Sequence, residues 1–354
     1  MDKKILSVVG ARPQFVKAAM VSAEIDRTDG VGEVLVHTGQ HFDANMSHLF
    51  FEEMGLRAPD YNLGIHSLPH EEMVDRMRLQ IEEIIGAQQP DAVLVYGDTD
   101  STLAGARAAH SRGVRLCHVE AGLRSFNPQM REEYNRIQTD SLADLLFCPT
   151  QTAIDNLLRE GVDADKIVPT GDVMKDAALH FAAFARPPHE ALPDAFVLCT
   201  LHRAENTDDP DILRQLLYAL ERTCAIVPVV MPLHPRTRLR LQELAYPIEH
   251  SPVRFIEPVG YLEMLYLQNH CKLILTDSGG VQKEAYFAKK YCITLREETE
   301  WVELLYRGYN HLVGHDPVNI VTTVQNLLDM PPLFNDDLYG DGHTARTIVQ
   351  RLLA

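Results

Sequence analysis

Residues 93–105 read VLVYGDTDSTLAG, residues 115–127 read RLCHVEAGLRSFN, and residues 131–136 read REEYNR. Asp98 follows one apolar run, Ala92 to Tyr96, and Glu120 follows the next, Leu116 to Val119. Between them lies a helix-like segment, Ser101 to Ser111. This is the pattern of one β-α-β unit. Successive parallel strands lie near one another and ligands bind beyond their carboxyl ends, so both carboxylates are expected at one crevice. Two acids in one crevice suggest proton chemistry.

Outward from this unit the alternation repeats. Apolar runs at Ile5 to Gly10, Glu33 to His37, Leu145 to Cys148 and Ile167 to Thr170 are separated by helix-length mixtures, with a helical stretch from about Phe15 to Ile25 after the first. Arg186-Pro187-Pro188-His189-Glu190-Ala191-Leu192-Pro193 reads as a linker or exposed connection. The alternation then restarts at Phe196 to Thr200, Val227 to Met231, Arg254 to Ile256, Leu273 to Thr276, Tyr291 to Leu295 and His311 to Val313. At 354 residues one core has usually stopped growing. The expectation is an α/β chain of two Rossmann-like, doubly wound domains with a cleft between them. Residues 1–174 plus 341–354 make the N-terminal domain and residues 175–340 the C-terminal one, the amphipathic helix Thr344 to Leu353 crossing back onto the first.

Charge and composition exclude several functions. The formal net charge is −17, which disfavours nucleic acid or an anionic membrane as partner. No window reaches the roughly 20 apolar residues of a membrane span, and MDKKILSVVGARPQF enters a strand without a cleavage pattern; a soluble, cytoplasmic protein is expected. The six cysteines (Cys117, Cys148, Cys199, Cys224, Cys271, Cys292) form no C-x-x-C pair and read as buried free thiols.

Several strand ends carry candidate site residues. Gly10-Ala11-Arg12-Pro13-Gln14 sits where a dinucleotide fingerprint would be, but Arg12 and Pro13 occupy positions that need close backbone approach, so NAD is not expected. Arg12 could hold a phosphate or form a surface ion pair. In Thr276-Asp277-Ser278-Gly279-Gly280-Val281-Gln282-Lys283-Glu284 a strand ends, two glycines follow and a helix begins, the arrangement that cradles anions; Glu284 could accept from a ribose diol. The alternative is a tight turn capped by Ser278. His202 and Arg203, then His234 and Arg236, supply cations at two further strand ends. Glu132 and Arg136 could be an ordinary i,i+4 pair, and Asp98 and Asp100 could cap the helix near Ser101. Metal binding by Asp98, Asp100 and His118 lacks a supporting ligand spacing, and no metal is expected.

Taken together, GARPQ, HTGQHFDANMS, YGDTDST, HVEAGLRSF, REEYNR, TLHRAEN, PLHPRTR, TDSGGVQKEA and TEWVEL resemble the non-hydrolysing UDP-N-acetylglucosamine 2-epimerase family, in the family's order across nearly the whole chain. The resemblance implies the glycosyltransferase-B arrangement, a homodimer, no cofactor, and interconversion of gluco and manno epimers at C2 of UDP-GlcNAc. It places Asp98, Glu120 and Glu132 as acid and base carboxylates, with His202 as a further active-site group. Arg12, His234, Ser278, Gly279, Gly280 and Glu284 fall where the family binds UDP. GARPQ, Gln282-Lys283-Glu284 and Thr299-Glu300-Trp301-Val302-Glu303 replace the GTRPE, QEE and TERPE of many members. These variants, with FDANMS and EPVGYLEM, are similar to a branch that acts on UDP-2,3-diacetamido-2,3-dideoxy-glucuronate for O-antigen polysaccharide. Its C6 carboxylate would need a cation, for which Arg124 and Lys283 are candidates. Gln40 to Met46 departs from the segment that binds an activating UDP-GlcNAc in the regulated members. A glycosyltransferase, a hydrolysing epimerase and a non-catalytic UDP-sugar sensor stay open as alternatives.

Overall fold

The computed structural model describes residues 2–41, 53–331 and 333–354. The chain divides into two compact units, Met1–His180 with Asp337–Ala354, and Phe181–Asp336. The first holds a seven-stranded sheet of β1 (Lys3–Val9), β2 (Val31–His37), β3 (Tyr61–Asn62), β4 (Ala92–Tyr96), β5 (Arg115–Val119), β6 (Leu145–Cys148) and β7 (Ile167–Pro169) in the order β3-β2-β1-β4-β5-β6-β7. All of its pairings are parallel. The second unit carries β8 (Val197–Thr200), β9 (Val229–Pro232), β10 (Arg254–Ile256), β11 (Ile274–Thr276), β12 (Cys292–Thr294) and β13 (Asn310–Leu312), also all parallel, in the order β10-β9-β8-β11-β12-β13. Both units are doubly wound, as the alternation predicts.

Strands covered on both faces need apolar residues throughout rather than in alternation. β4, AVLVY, is buried at every position. The helix Asp100–Arg112 lies against it and is rich in small residues; Ala104, Ala106, Ala108 and Ala109 are fully buried. At Gly105 a Cβ would stand 2.8 Å from Val95 Cγ1, so glycine lets this helix approach the sheet closely. In the second unit Phe196, Leu198, Val230, Ile256, Leu267, Ile274 and Ala285 form one cluster.

In each sheet the strand order reverses once, between β1 and β4 and between β8 and β11. At such a switch point neighbouring crossovers leave in opposite directions and open a crevice at the carboxyl ends. β4 and β5 are neighbours with Tyr96 opposite Val119, so Asp98 and Glu120 leave adjacent strands at the same level.

Two details differ from expectation. The edge strand β3 has only two residues, too short to give a periodic signal. The chain passes from one unit to the other at His180 and Phe181; the Arg186 to Pro193 stretch lies on the second unit, where Arg186 N donates to Leu262 O and Glu190 accepts from Glu257 N. The helix Thr344–Leu353 belongs to the first unit, and Lys3 Nζ donates to the carbonyls of Leu352 and Leu353. No described helix is long and apolar enough to cross a membrane.

Candidate active site

In the first unit the candidate carboxylates gather around β4, β5 and the helix Arg131–Leu142. Arg136, considered in the sequence as an i,i+4 partner of Glu132, reaches Asp98 Oδ2 with Nε at 3.0 Å and Nη2 at 2.7 Å. Its Nη1 contacts Glu133 at 2.9 Å. Glu133 is buried and accepts from Ser125 N and Phe126 N. The helix phase thus separates two adjacent acids that sequence could not: Glu133 clamps the loop after β5, and Glu132 occupies a half-buried position in the first turn. The helix Asp100–Arg112 is capped by Thr99, whose side chain accepts from Thr102 N, rather than by Asp98 or Asp100. Asp100 is buried and holds His70 Nδ1 at 2.8 Å.

Glu120 has φ 73°, a left-handed conformation that costs a residue with a Cβ about 1–3 kcal/mol and persists only where its surroundings enforce it. Glu120 N and Ala121 N both donate to Phe147 O at 3.1 Å. The side chain pairs with Lys17 Nζ, both groups being less than a tenth exposed. Lys17 lies on the helix Arg12–Asp26 and was not among the sequence candidates. Its only sequence signal is a charge at a position that helical phase turns inward.

The turns beyond β4 and β5 share a buried support. His118, fully buried, places Nε2 2.7 Å from Gly97 O and Nδ1 2.7 Å from Asp140 Oδ1. Asp140 Oδ2 accepts from Gly122 N at 3.1 Å and from Arg124 Nη1 at 2.7 Å. Burial alone would raise the Asp140 carboxyl, but the His118 hydrogen bond and the His118 and Arg124 charges bring it below the usual range. Both His118 nitrogens are committed, so the metal-ligand role considered for it has no donor atom left. Arg124 also grips Glu160 with Nε and Nη2 at 2.7 Å each. Its side chain is 1% exposed, and Nη1 also donates to Leu123 O at 2.7 Å.

At the β1 end, Gln14 Oε1 accepts from Gly10 N and Ala11 N, and its Nε2 donates to Tyr96 O and Thr102 Oγ1. Arg12 begins the helix, half-buried, with its N–H on His41 Nδ1 at 3.2 Å. Burial pushes the His37 imidazole below the ordinary histidine range. Residues Phe42 to Met46, and the rest of FDANMS, lie outside the described residues.

The second unit assembles the anion-binding candidates. Ser278 caps the helix Gly279–Phe287 by accepting from Val281 N. Gly280 is exposed, and a Cβ there would stand 4.0 Å from Ser278 Oγ. A Cβ on Gly279 would meet Glu300 Oε1 at 2.5 Å, so glycine here makes room for that carboxylate. Asp277, not singled out in the sequence, is fully buried and accepts from His202 N at 2.9 Å and Arg203 N at 2.8 Å, with His202 Nδ1 3.2 Å from Oδ1. Burial opposes its ionisation, yet His202 and these N–H groups hold it below the usual carboxylate range. The His202 and His234 rings stand 5.3 Å apart. His234 caps the helix Pro235–Glu243, its Nδ1 accepting from Arg236 N. The Arg236 guanidinium, expected among the ligand cations, pairs with Asp208 and Thr207. Glu284 is nearly buried and takes a 2.6 Å hydrogen bond from Gln268 Nε2. Lys283 is buried with Nζ 4.1 Å over the Trp301 ring.

Among the described residues no group of three or more His, Cys, Asp or Glu side chains could hold a metal ion. Burial pushes the Cys117, Cys271 and Cys292 thiols up to about 12, which keeps them protonated and poor nucleophiles.

The family model of UDP-N-acetylglucosamine 2-epimerase matches residues 23–353. The chain is 52% identical over 353 residues, 99% of both chains, to the UDP-2,3-diacetamido-2,3-dideoxy-D-glucuronate 2-epimerase of Pseudomonas aeruginosa. It is 38% identical to the UDP-N-acetylglucosamine 2-epimerase of Methanocaldococcus jannaschii over 99% of this chain and 98% of that one. The crystal structure of the M. jannaschii UDP-GlcNAc 2-epimerase in complex with UDP-GlcNAc and UDP superposes with a TM-score of 0.92 over 100% and 99% of the two chains.

Proposed function

Because the chain belongs to the UDP-N-acetylglucosamine 2-epimerase family, we propose that it inverts C2 of a UDP-activated N-acetylhexosamine by eliminating UDP and adding it back. The observation that carries this reading is similarity to named UDP-sugar 2-epimerases along the full chain. The C2 proton of such a sugar is not acidic, but it becomes removable as the C1–O bond to UDP breaks. A base takes the proton, the C–H pair forms the C1–C2 double bond, and UDP leaves with the C1–O pair. The products are a 2-acetamidoglucal and UDP. Protonation of C2 from the opposite face, with return of a UDP oxygen to C1, gives the epimer. Acid and base groups are needed on both faces of the ring.

Asp98, Glu120 and Glu132 are assigned to these proton transfers, supported by their gathering around β4, β5 and one helix start. Lys17 holds the Glu120 carboxylate, and Arg136 holds Asp98 through Oδ2. The free N–H groups at the start of the Gly279–Phe287 helix, with His202 and His234, stabilise the departing diphosphate. Arg12 adds a cation from the β1 end, and Glu284, braced by Gln268, takes the ribose hydroxyls. UDP-GlcNAc to UDP-ManNAc is the parent reaction of the family. The 52% identity to the diacetamido-glucuronate enzyme, against 38% to the M. jannaschii UDP-GlcNAc enzyme, favours the C3- and C6-modified sugar as substrate, and with it a place in O-antigen synthesis. Cytoplasmic location, supported by six free cysteines, and a homodimer complete the reading.

Incubation with each UDP-sugar in deuterated water, followed by NMR, tests it. An epimerase places deuterium at C2 and converges on the same mixture from either epimer. A glycosyltransferase or a UDP-sugar sensor leaves C2 protonated, and net release of free sugar identifies a hydrolysing enzyme; either result overturns the proposal.

A further inference from the structure

We propose that Asp140 is a positioning residue that fixes the spacing between the turns bearing Asp98 and Glu120, acting through His118 on one and directly on the other. This inference rests on the assignment of those two carboxylates to proton transfer.

One carboxylate serves two turns. Oδ1 faces His118 Nδ1, and the far nitrogen of that ring faces Gly97 O, the carbonyl immediately before Asp98. Oδ2 takes the N–H of Gly122, two residues after Glu120. Each turn passes through left-handed backbone, at Gly97 with φ 63° and at Glu120 with φ 73°. Glycine adopts this conformation freely, whereas Glu120 needs outside support, and a change at either would swing the adjacent side chain. The opposite face of the second turn is held as well, since Asn156 Nδ2 donates to Gly122 O at 3.0 Å.

Asp140 is 4% exposed and His118 fully buried, so neither is presented to substrate and any effect on the reaction passes through the turns. Asp140 also shares its helix with Glu132 and with Arg136, which grips the Asp98 side chain. A single rigid element therefore references three carboxylates to one another, which is what a reaction sensitive to ångström misplacement requires. The acceptor count is strict. His118 stands between two oxygens, and Gly122 N and Arg124 Nη1 both aim donors at Oδ2. An amide at position 140 would either turn its NH2 onto the Gly122 and Arg124 donors or keep the His118 arm only with Nδ1 as the acceptor, and in both cases it removes the negative charge that Arg124 faces.

The test is Asp140→Asn in the full chain, with His118→Gln as second variant and Glu160→Gln as control, since Glu160 touches only the solvent side of Arg124. Thermal melting, kcat, KM, C2 deuterium exchange and UDP affinity by calorimetry are measured for each. The expected result is folded protein with kcat and exchange reduced about 10- to 100-fold and KM and UDP affinity within about twofold, because the groups proposed for UDP, Arg12 excepted, lie on the other unit; Glu160→Gln retains parental kcat. Folded variants with unchanged kcat would overturn the proposal, as would a loss carried by KM. Failure of both variants to fold would replace positioning by a role in folding. If the parent itself places no deuterium at C2, the functional assignment fails instead.

Discussion

Replacing Lys17 by methionine isolates the electrostatics of the buried Lys17–Glu120 pair. Methionine keeps most of the volume and removes the charge, stranding a carboxylate whose side chain is 9% exposed. Two unit charges about 4 Å apart at an effective dielectric near 20 attract by about 4 kcal/mol, within the range of about 3–5 kcal/mol found when one partner of a buried pair is removed. In a unit of about 200 residues each kcal/mol moves Tm by roughly 2–4 °C, so Lys17→Met should lower the transition of the first unit by about 6–20 °C. The second variant carries the discrimination. Lys17→Met/Glu120→Gln removes the stranded charge too, and should recover at least about half of the lost stability while staying inactive. Calorimetry of parent, both single variants and the double variant closes the cycle. A Lys17→Met protein that melts within about 1 °C of the parent, or a double variant no more stable than Lys17→Met, would refute the reasoning.

Other outcomes follow from single contacts. Asp277 has a folded pKa below its unfolded value, so its contribution to stability is present above about pH 4 and is lost as pH falls through the folded value; urea denaturation of Asp277→Asn should show a flatter acid limb than the parent. Thr99→Ala removes the cap of the Asp100–Arg112 helix and should cost about 1 kcal/mol, measurable by chemical denaturation. Gly105→Ala pushes a methyl into Val95 and should cost about 1–3 kcal/mol, with the near-ultraviolet spectrum reporting the shifted helix. Glu284→Gln weakens the ribose contact proposed for Glu284 and should raise the UDP dissociation constant roughly tenfold by calorimetry, about 1.4 kcal/mol.

The architecture was largely legible because parallel strands buried on both faces write themselves as apolar runs. Ala92 to Tyr96, Leu145 to Cys148, Arg254 to Ile256 and Thr344 to Leu353 have the predicted ends, whereas the two-residue β3 wrote nothing. Carboxylates that follow such runs were legible for the same reason. Illegible were the residues that act through helical phase and partner geometry. Lys17 looks like any helix-surface lysine until the phase turns it onto Glu120. Glu133 cannot be told from Glu132 without that phase. Nothing around Arg124 in the sequence announces its pairing with Asp140 and Glu160, which lie 16 and 36 residues away. Asp277 sits inside a quoted motif, yet its hold on the His202 turn depends on β8 and β11 being neighbours.

The return of Thr344–Leu353 to the first unit has a consequence for synthesis. Lys3 of the first strand is tied to the carbonyls of Leu352 and Leu353, and the whole of Phe181–Asp336 is threaded between the two parts of that unit. On the ribosome, where domains tend to fold as units in order of emergence, this order is inverted. All seven strands of the first unit emerge before Phe181, but its helix Thr344–Leu353 follows only after Asp336, so the second unit is complete first while the first waits with the face of its opening helix uncovered. The protein can therefore be expected to need a chaperone during translation in proportion to the time taken to make Phe181–Asp336, and slowing elongation within that stretch should lower the soluble yield of the first unit more than that of the second.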